Sequence, residues 1–110
     1  MKRDYKLYIK DITDSIDLIE IYLHGVSQEE FVNDKEKQDS VIRRLEIIGE
    51  ASKNIPRVLK EKNKEIPRYD FSQFRDLVTH SYFSTSLIKI WDFAKRLPSI
   101  KKQFQNIKLV

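Results

Sequence analysis

Apolar side chains recur in alternating steps of four and three along this chain, and that spacing constrains its fold more than any other feature. The pattern runs through Tyr5, Ile9, Ile12, Ile16, Ile19 and Leu23, a narrow seam broadened by Leu7, Tyr8, Leu18, Ile21 and Tyr22, and resumes through Val41, Ile42, Leu45, Ile48, Ser52 and Ile55. Residues three and four apart share one face of an α-helix, so each run forms a seam that is buried when another element packs on it. Glycine occurs twice and proline three times, which leaves little turn material for a many-stranded sheet. The fold class expected is all-α.

Punctuation between the runs divides them into helices. His24-Gly25 should end the first, because glycine takes the left-handed conformation after a helix terminus; His24 reads as part of that cap rather than as a ligand or catalyst. Ser27 followed by Glu30 is a capping-box pattern and predicts a short helical turn anchored by Phe31 and Val32. A polar segment from Asn33 to Asp39 leads into a second long helix, predicted to begin near Asp39. Asn54-Ile55-Pro56 interrupts it, since proline lacks a backbone donor and crowds the preceding turn. Residues 56–64 then form one more amphipathic piece with Val58 and Leu59 inward. Asp70 and Gln73 suggest the cap of a third long helix beginning near Phe71. A fourth should start between Ser84 and Ser86 and turn Leu87, Ile90, Trp91, Ala94 and Leu97 inward. Pro98 ends or kinks it, with a short amphipathic continuation through Phe104 and Ile107. A chain of 110 residues is the size of one domain. Residues 1–110 are therefore expected to form a single up-down antiparallel four-helix bundle with short extra helical segments.

Composition narrows the chemistry. With no cysteine, and with His24 and His80 as the two histidines, disulfides and a structural zinc are disfavoured, and no metal or cofactor is expected. A charged N-terminus and the lack of any apolar run of membrane-spanning length lead us to expect a soluble cytoplasmic protein. The net charge is +4, unevenly placed: residues 1–55 hold 9 Lys+Arg against 12 Asp+Glu, and residues 56–110 hold 12 against 5. Singly, Lys60, Lys62, Lys64, Lys95, Lys101 and Lys102 read as solvated helix faces. Their clustering would draw a polyanion toward the second half.

That basic half contains Arg75-Asp76-Leu77-Val78-Thr79-His80-Ser81-Tyr82. Arginine presents a fixed fork of donors suited to phosphate oxygens, and histidine exchanges a proton near neutral pH, a combination suited to phosphoester chemistry. Taken alone the motif is a weak signal, because a histidine near a helix end is commonly a cap. On an ideal helix Tyr82 lies about 20° from Arg75, but His80 lies about 140° away. The two converge on one phosphate if the helix loosens before His80 or if a second subunit completes the site; a dimer cleft is the expectation.

These residues resemble the HepT-like branch of the HEPN superfamily, small all-helical proteins often encoded beside an MNT-type minimal nucleotidyltransferase as a toxin and antitoxin pair. Ser27 to Phe31 is similar to the family's turn, and Arg44 to Ala51 to its second-helix signature. Arg75 to Tyr82 fits its motif of Arg, four residues, His, one residue, Tyr, and Trp91 with Leu97-Pro98 fits its last helix. The resemblance implies a homodimer acting on RNA as a metal-independent endoribonuclease. In it Arg75 would hold the scissile phosphate and His80 would serve as general acid or base. Tyr82 is similar to the tyrosine that the nucleotidyltransferase antitoxin adenylylates to silence the toxin. Asp76 stands where many relatives have asparagine; it would either pair with Arg75 and weaken its pull on RNA, or orient His80 and raise its pKa. A competing expectation is a non-catalytic helical dimer that binds and regulates a nucleotidyltransferase partner. A generic basic binding module is less favoured, as the positive charge is moderate.

Overall fold

The computed structural model describes residues 3–64 and 84–107. Among the described residues every regular element is a helix, as expected from the four-three spacing. Five are defined: α1 (Tyr5–Leu23), α2 (Gln28–Val32), α3 (Lys35–Ser52), α4 (Arg57–Lys62) and α5 (Ser84–Gln105).

The first helix begins where the Asp4 carboxylate accepts the backbone N–H of Lys6 at 2.9 Å, satisfying one of the donors a helix start leaves open. Its buried face is Ile12, Ser15, Ile16, Ile19 and Leu23, with Tyr5 and Ile9 packed at the margin. His24 caps the other end through its backbone N–H, and Gly25 follows at φ 70°. The short α2 has the expected capping box: Ser27 Oγ accepts from the Glu30 N–H at 3.1 Å, and the Ser27 N–H donates to Glu30 Oε1 at 3.3 Å. Phe31 is fully buried and tilts against Trp91, ring centroids 5.6 Å apart, whereas Val32 is half-buried.

Two expectations need correction. The second long helix begins at Lys35, not near Asp39, because Asp34 supplies the cap by accepting from the Lys37 N–H at 3.1 Å. The first turn also buries Gln38, so this polar stretch is helical rather than a linker. In α4, Leu59 is buried but Val58 is 51% exposed. Neighbouring residues on a helix diverge by about 100°, and a helix this short presents one of them to the core.

Helix α5 runs unbroken through Pro98 to Gln105, so Pro98 does not end it. Leu87, Ile90, Ala94, Leu97, Ile100 and Phe104 form its buried face, and Trp91 is half-buried beside them. Helix α1 packs against both α3 and α5, and α2 bridges the same two helices. The Phe71 helix and its capping residues, Asp70 and Gln73, lie outside the described residues.

Candidate functional site

Arg75, Asp76, His80 and Tyr82 also lie outside the described residues. What it does define is how the chain is held on either side. Upstream, α4 is pinned by Leu59, 1% exposed, and Ile55, 3% exposed. Its end is closed by Asn63, whose backbone and side-chain N–H groups both reach the Leu59 carbonyl at 2.9 Å. Downstream, α5 begins at Ser84, two residues after Tyr82 in the sequence. The first turn of α5 has no acidic residue, so no side-chain charge of that turn offsets the positive end of the helix dipole.

The described cations divide into two sets. Across residues 3–64 several are neutralised locally, Arg3 by Asp11 at 2.6 Å, Lys10 by Asp14 at 2.7 Å, Lys53 by Glu50 at 3.5 Å and Arg57 by Glu61 at 3.1 Å, while Lys6, Lys37, Arg44 and Lys60 have no ion pair among the described residues and are scattered over three helices. The hydrogen bond that Arg3 donates to Asp11 raises its pKa, and the one that Lys10 donates to Asp14 does the same. On α5, Lys101 is bound to Asp17 of α1 and its pKa is raised, chiefly by that hydrogen bond. Lys89, Lys95, Arg96 and Lys102 are exposed. Charge counting along the sequence registered a basic half, but it did not separate tied cations from open ones, because the difference lies in which carboxylates the fold brings near.

An open cleft of about 240 Å³ lies between the end of α1 and the middle of α5, lined by Ile19, Glu20, His24, Lys95 and Pro98 among others. His24 is thus a backbone cap, as expected, with its ring exposed at the cleft rim. Among the described residues there is no group of three or more His, Cys, Asp or Glu placed to hold a metal. No helix among them is long and apolar enough to cross a membrane.

A helical frame that carries an Arg, four residues, His, one residue, Tyr motif between a short helix and a long basic one defines a class of small helical proteins. A family model described as "Ribonuclease HepT-like" matches residues 12–107, a span that includes the whole motif. A probable ribonuclease HepT from Thermococcus cleftensis is 42% identical over 109 residues, covering 98% of this chain and 99% of that protein. Two proteins of Methanocaldococcus jannaschii are similar. One, named as a gamma-glutamylcyclotransferase and candidate RNase, is 40% identical over 97% of this chain and 49% of its own length. The other, named as a candidate RNase, is 39% identical over 96% of this chain and 88% of its own. No solved structure matches with comparable significance. The chain belongs to the HepT-like ribonuclease family of the HEPN superfamily.

Proposed function

We propose that this protein is a ribonuclease, and more specifically the toxin of a toxin-antitoxin pair: a metal-independent endoribonuclease that an MNT-type nucleotidyltransferase silences by adenylylating Tyr82. The observation that carries the reading is the family match across residues 12–107, with Arg75, His80 and Tyr82 at the family's spacing inside it. In this reading residues 1–110 are one domain, an up-down four-helix bundle, and two copies form a homodimer whose cleft joins the guanidinium of Arg75 to the imidazole of His80.

The ribose 2′-oxygen attacks the adjacent phosphorus as its proton passes to a base, and the bond to the 5′-oxygen breaks as that oxygen takes up a proton. The products are a 2′,3′-cyclic phosphate and a 5′-hydroxyl. His80 serves one of the two proton transfers, and Arg75 stabilises the charge that builds on the phosphoryl oxygens. An adenylate on Tyr82 places bulk and negative charge where RNA phosphate would sit.

The test is cleavage of single-stranded RNA in the presence of a chelator by wild type, Arg75→Ala and His80→Ala. Loss of cleavage by about 10² or more in both variants is expected, and equal cleavage by all three rejects the assignment. Asp76→Asn reports on the neighbouring carboxylate, through the direction in which activity moves. Intact mass after co-expression with a nucleotidyltransferase reports on Tyr82: added adenylate on its peptide supports the regulatory half, and an unmodified mass removes it.

A further inference from the structure

We propose that the exposed face of α5 is a track for the backbone of single-stranded RNA, formed by Lys89, Lys95, Arg96 and Lys102. The proposal rests on the ribonuclease reading and names surface contacts outside the Arg75 to Tyr82 motif.

The argument starts from which cations the fold leaves open. Lys10, Lys35, Arg43 and Lys53 each face a carboxylate three or four residues away, Asp14, Asp39, Glu46 and Glu50 respectively; Lys6, Lys37, Arg44 and Lys60 have no ion pair among the described residues but are spread over three helices, whereas α5 gathers four such cations on one. Among the described residues no such pairing involves Lys89, Lys95, Arg96 or Lys102, although Asp92 lies three or four positions from the first three of them. Helix α5 carries one other cation, Lys101, and that one is bound to Asp17. The track therefore excludes it.

The four open cations are ordered rather than scattered. Lys89 and Arg96 lie seven residues apart, as do Lys95 and Lys102, so each pair stacks within about 20° on the helix surface. The two rows flank Asp92 and span roughly 20 Å along the axis, a length that accommodates several phosphates of an extended strand. The Lys95 ammonium sits over the Trp91 ring at 5.2 Å, and the Arg96 guanidinium over the Phe93 ring at 5.5 Å. A ring contact restrains the stem while leaving N–H directions for an anion, which lowers the entropy lost on binding. A strand on this face would be collinear with the helix that begins two residues after Tyr82.

The experiment measures binding of a fluorescent single-stranded RNA to the full chain between 50 and 200 mM salt. Wild type is compared with two fourfold variants. One removes the track (Lys89→Gln, Lys95→Gln, Arg96→Gln, Lys102→Gln), and the other removes four tied cations (Lys10→Gln, Lys35→Gln, Arg43→Gln, Lys53→Gln). Both lower the net charge equally. Each phosphate contact contributes about 0.7 to the slope of log affinity against log salt for a single strand. The track variant should lose up to about 2.8 of slope, equivalent to about 50-fold over that salt range, while the tied-cation variant keeps the wild-type slope. Equal slopes in track variant and wild type, or equal losses in both variants, overturn the proposal. Cleavage of a dinucleotide, too short to reach the track, should proceed with unchanged kcat in the track variant while KM for a long RNA rises. Absence of cleavage by wild type rejects the ribonuclease reading alone, since the binding slopes decide the track without it.

Discussion

Replacing Gln38 with methionine tests the joint between α2 and α3. Gln38 is 6% exposed, and its Nε2 donates to the carbonyls of Phe31 at 3.0 Å and Val32 at 2.9 Å. Those oxygens belong to the end of α2, where a helix leaves carbonyls without intrahelical partners. The Phe31 carbonyl keeps a second donor, the Asp34 N–H at 3.2 Å, so its loss should be the smaller. Each net hydrogen bond contributes about 1 kcal/mol, and an orphaned buried acceptor costs somewhat more. Methionine preserves length and volume, so little cavity cost is added. The sum is about 2 kcal/mol, or roughly 8 °C in Tm for a chain of this size. Urea and thermal unfolding followed by circular dichroism should show a lower midpoint with unchanged m. Ser40→Ala, which removes an exposed bond to the Glu36 carbonyl, is the control and should stay within about 0.5 kcal/mol of wild type. If Gln38→Met is as stable as that control, the buried amide does not hold the joint.

Gly25 has φ 70° and a Cβ built on it would meet nothing within 4 Å, so Gly25→Ala should cost about 1 to 2 kcal/mol from backbone conformation alone. Gly25→Asn should cost less in the same unfolding assay. The Lys101 pKa is raised above its ordinary 10.5, first by the hydrogen bond it donates to Asp17. Stabilisation from this pair is therefore complete below that value and fades as pH climbs through the higher folded one; in Asp17→Asn the decline in stability between pH 9 and 12 should be shallower. Leu59→Ala should cost about 2 to 5 kcal/mol, with hydrogen exchange in α4 accelerated at least as much as in α1.

The seams of α1 and α5 were legible because an all-helical chain with few prolines and glycines writes its core as a periodic pattern. The seam from Tyr5 to Leu23 and the Ser27–Glu30 box could be read from the sequence, but Leu7 and Ile21, expected to broaden that seam, are 44% and 67% exposed, because they lie on the flank of α1 that no other described helix covers. The start of α3 was not. Lys35 to Asp39 has no apolar residue in the repeat, and the cap at Asp34 and the buried amide of Gln38 matter only once α2 is packed beside them. Val58 was misjudged because two adjacent apolar residues give no phase over so short a helix. For the motif, residue types and spacing pointed to phosphoester chemistry and to the family. The separation of tied from open cations needed the fold, because Lys101 and Asp17 lie 84 positions apart.

Pro98 shows how burial overrides local preference, and what that does for α5. Proline in a helix interior costs about 3 kcal/mol, through a missing donor and a clash with the preceding turn. The helix continues because each side of Pro98 has its own hold on the core. Leu87 and Ile90 anchor the first part, while Ile100, Phe104 and the Lys101–Asp17 bond anchor the last. Leu97, fully buried beside the proline, belongs to both. Burying several such side chains is worth about 1.5 to 3 kcal/mol each, more than the proline costs. The consequence is a continuous bar of 22 residues whose inner face is fixed to α1. Cations on its outer face therefore keep a fixed distance from Ser84, and any strand bound along them is registered against the chain that enters at that end.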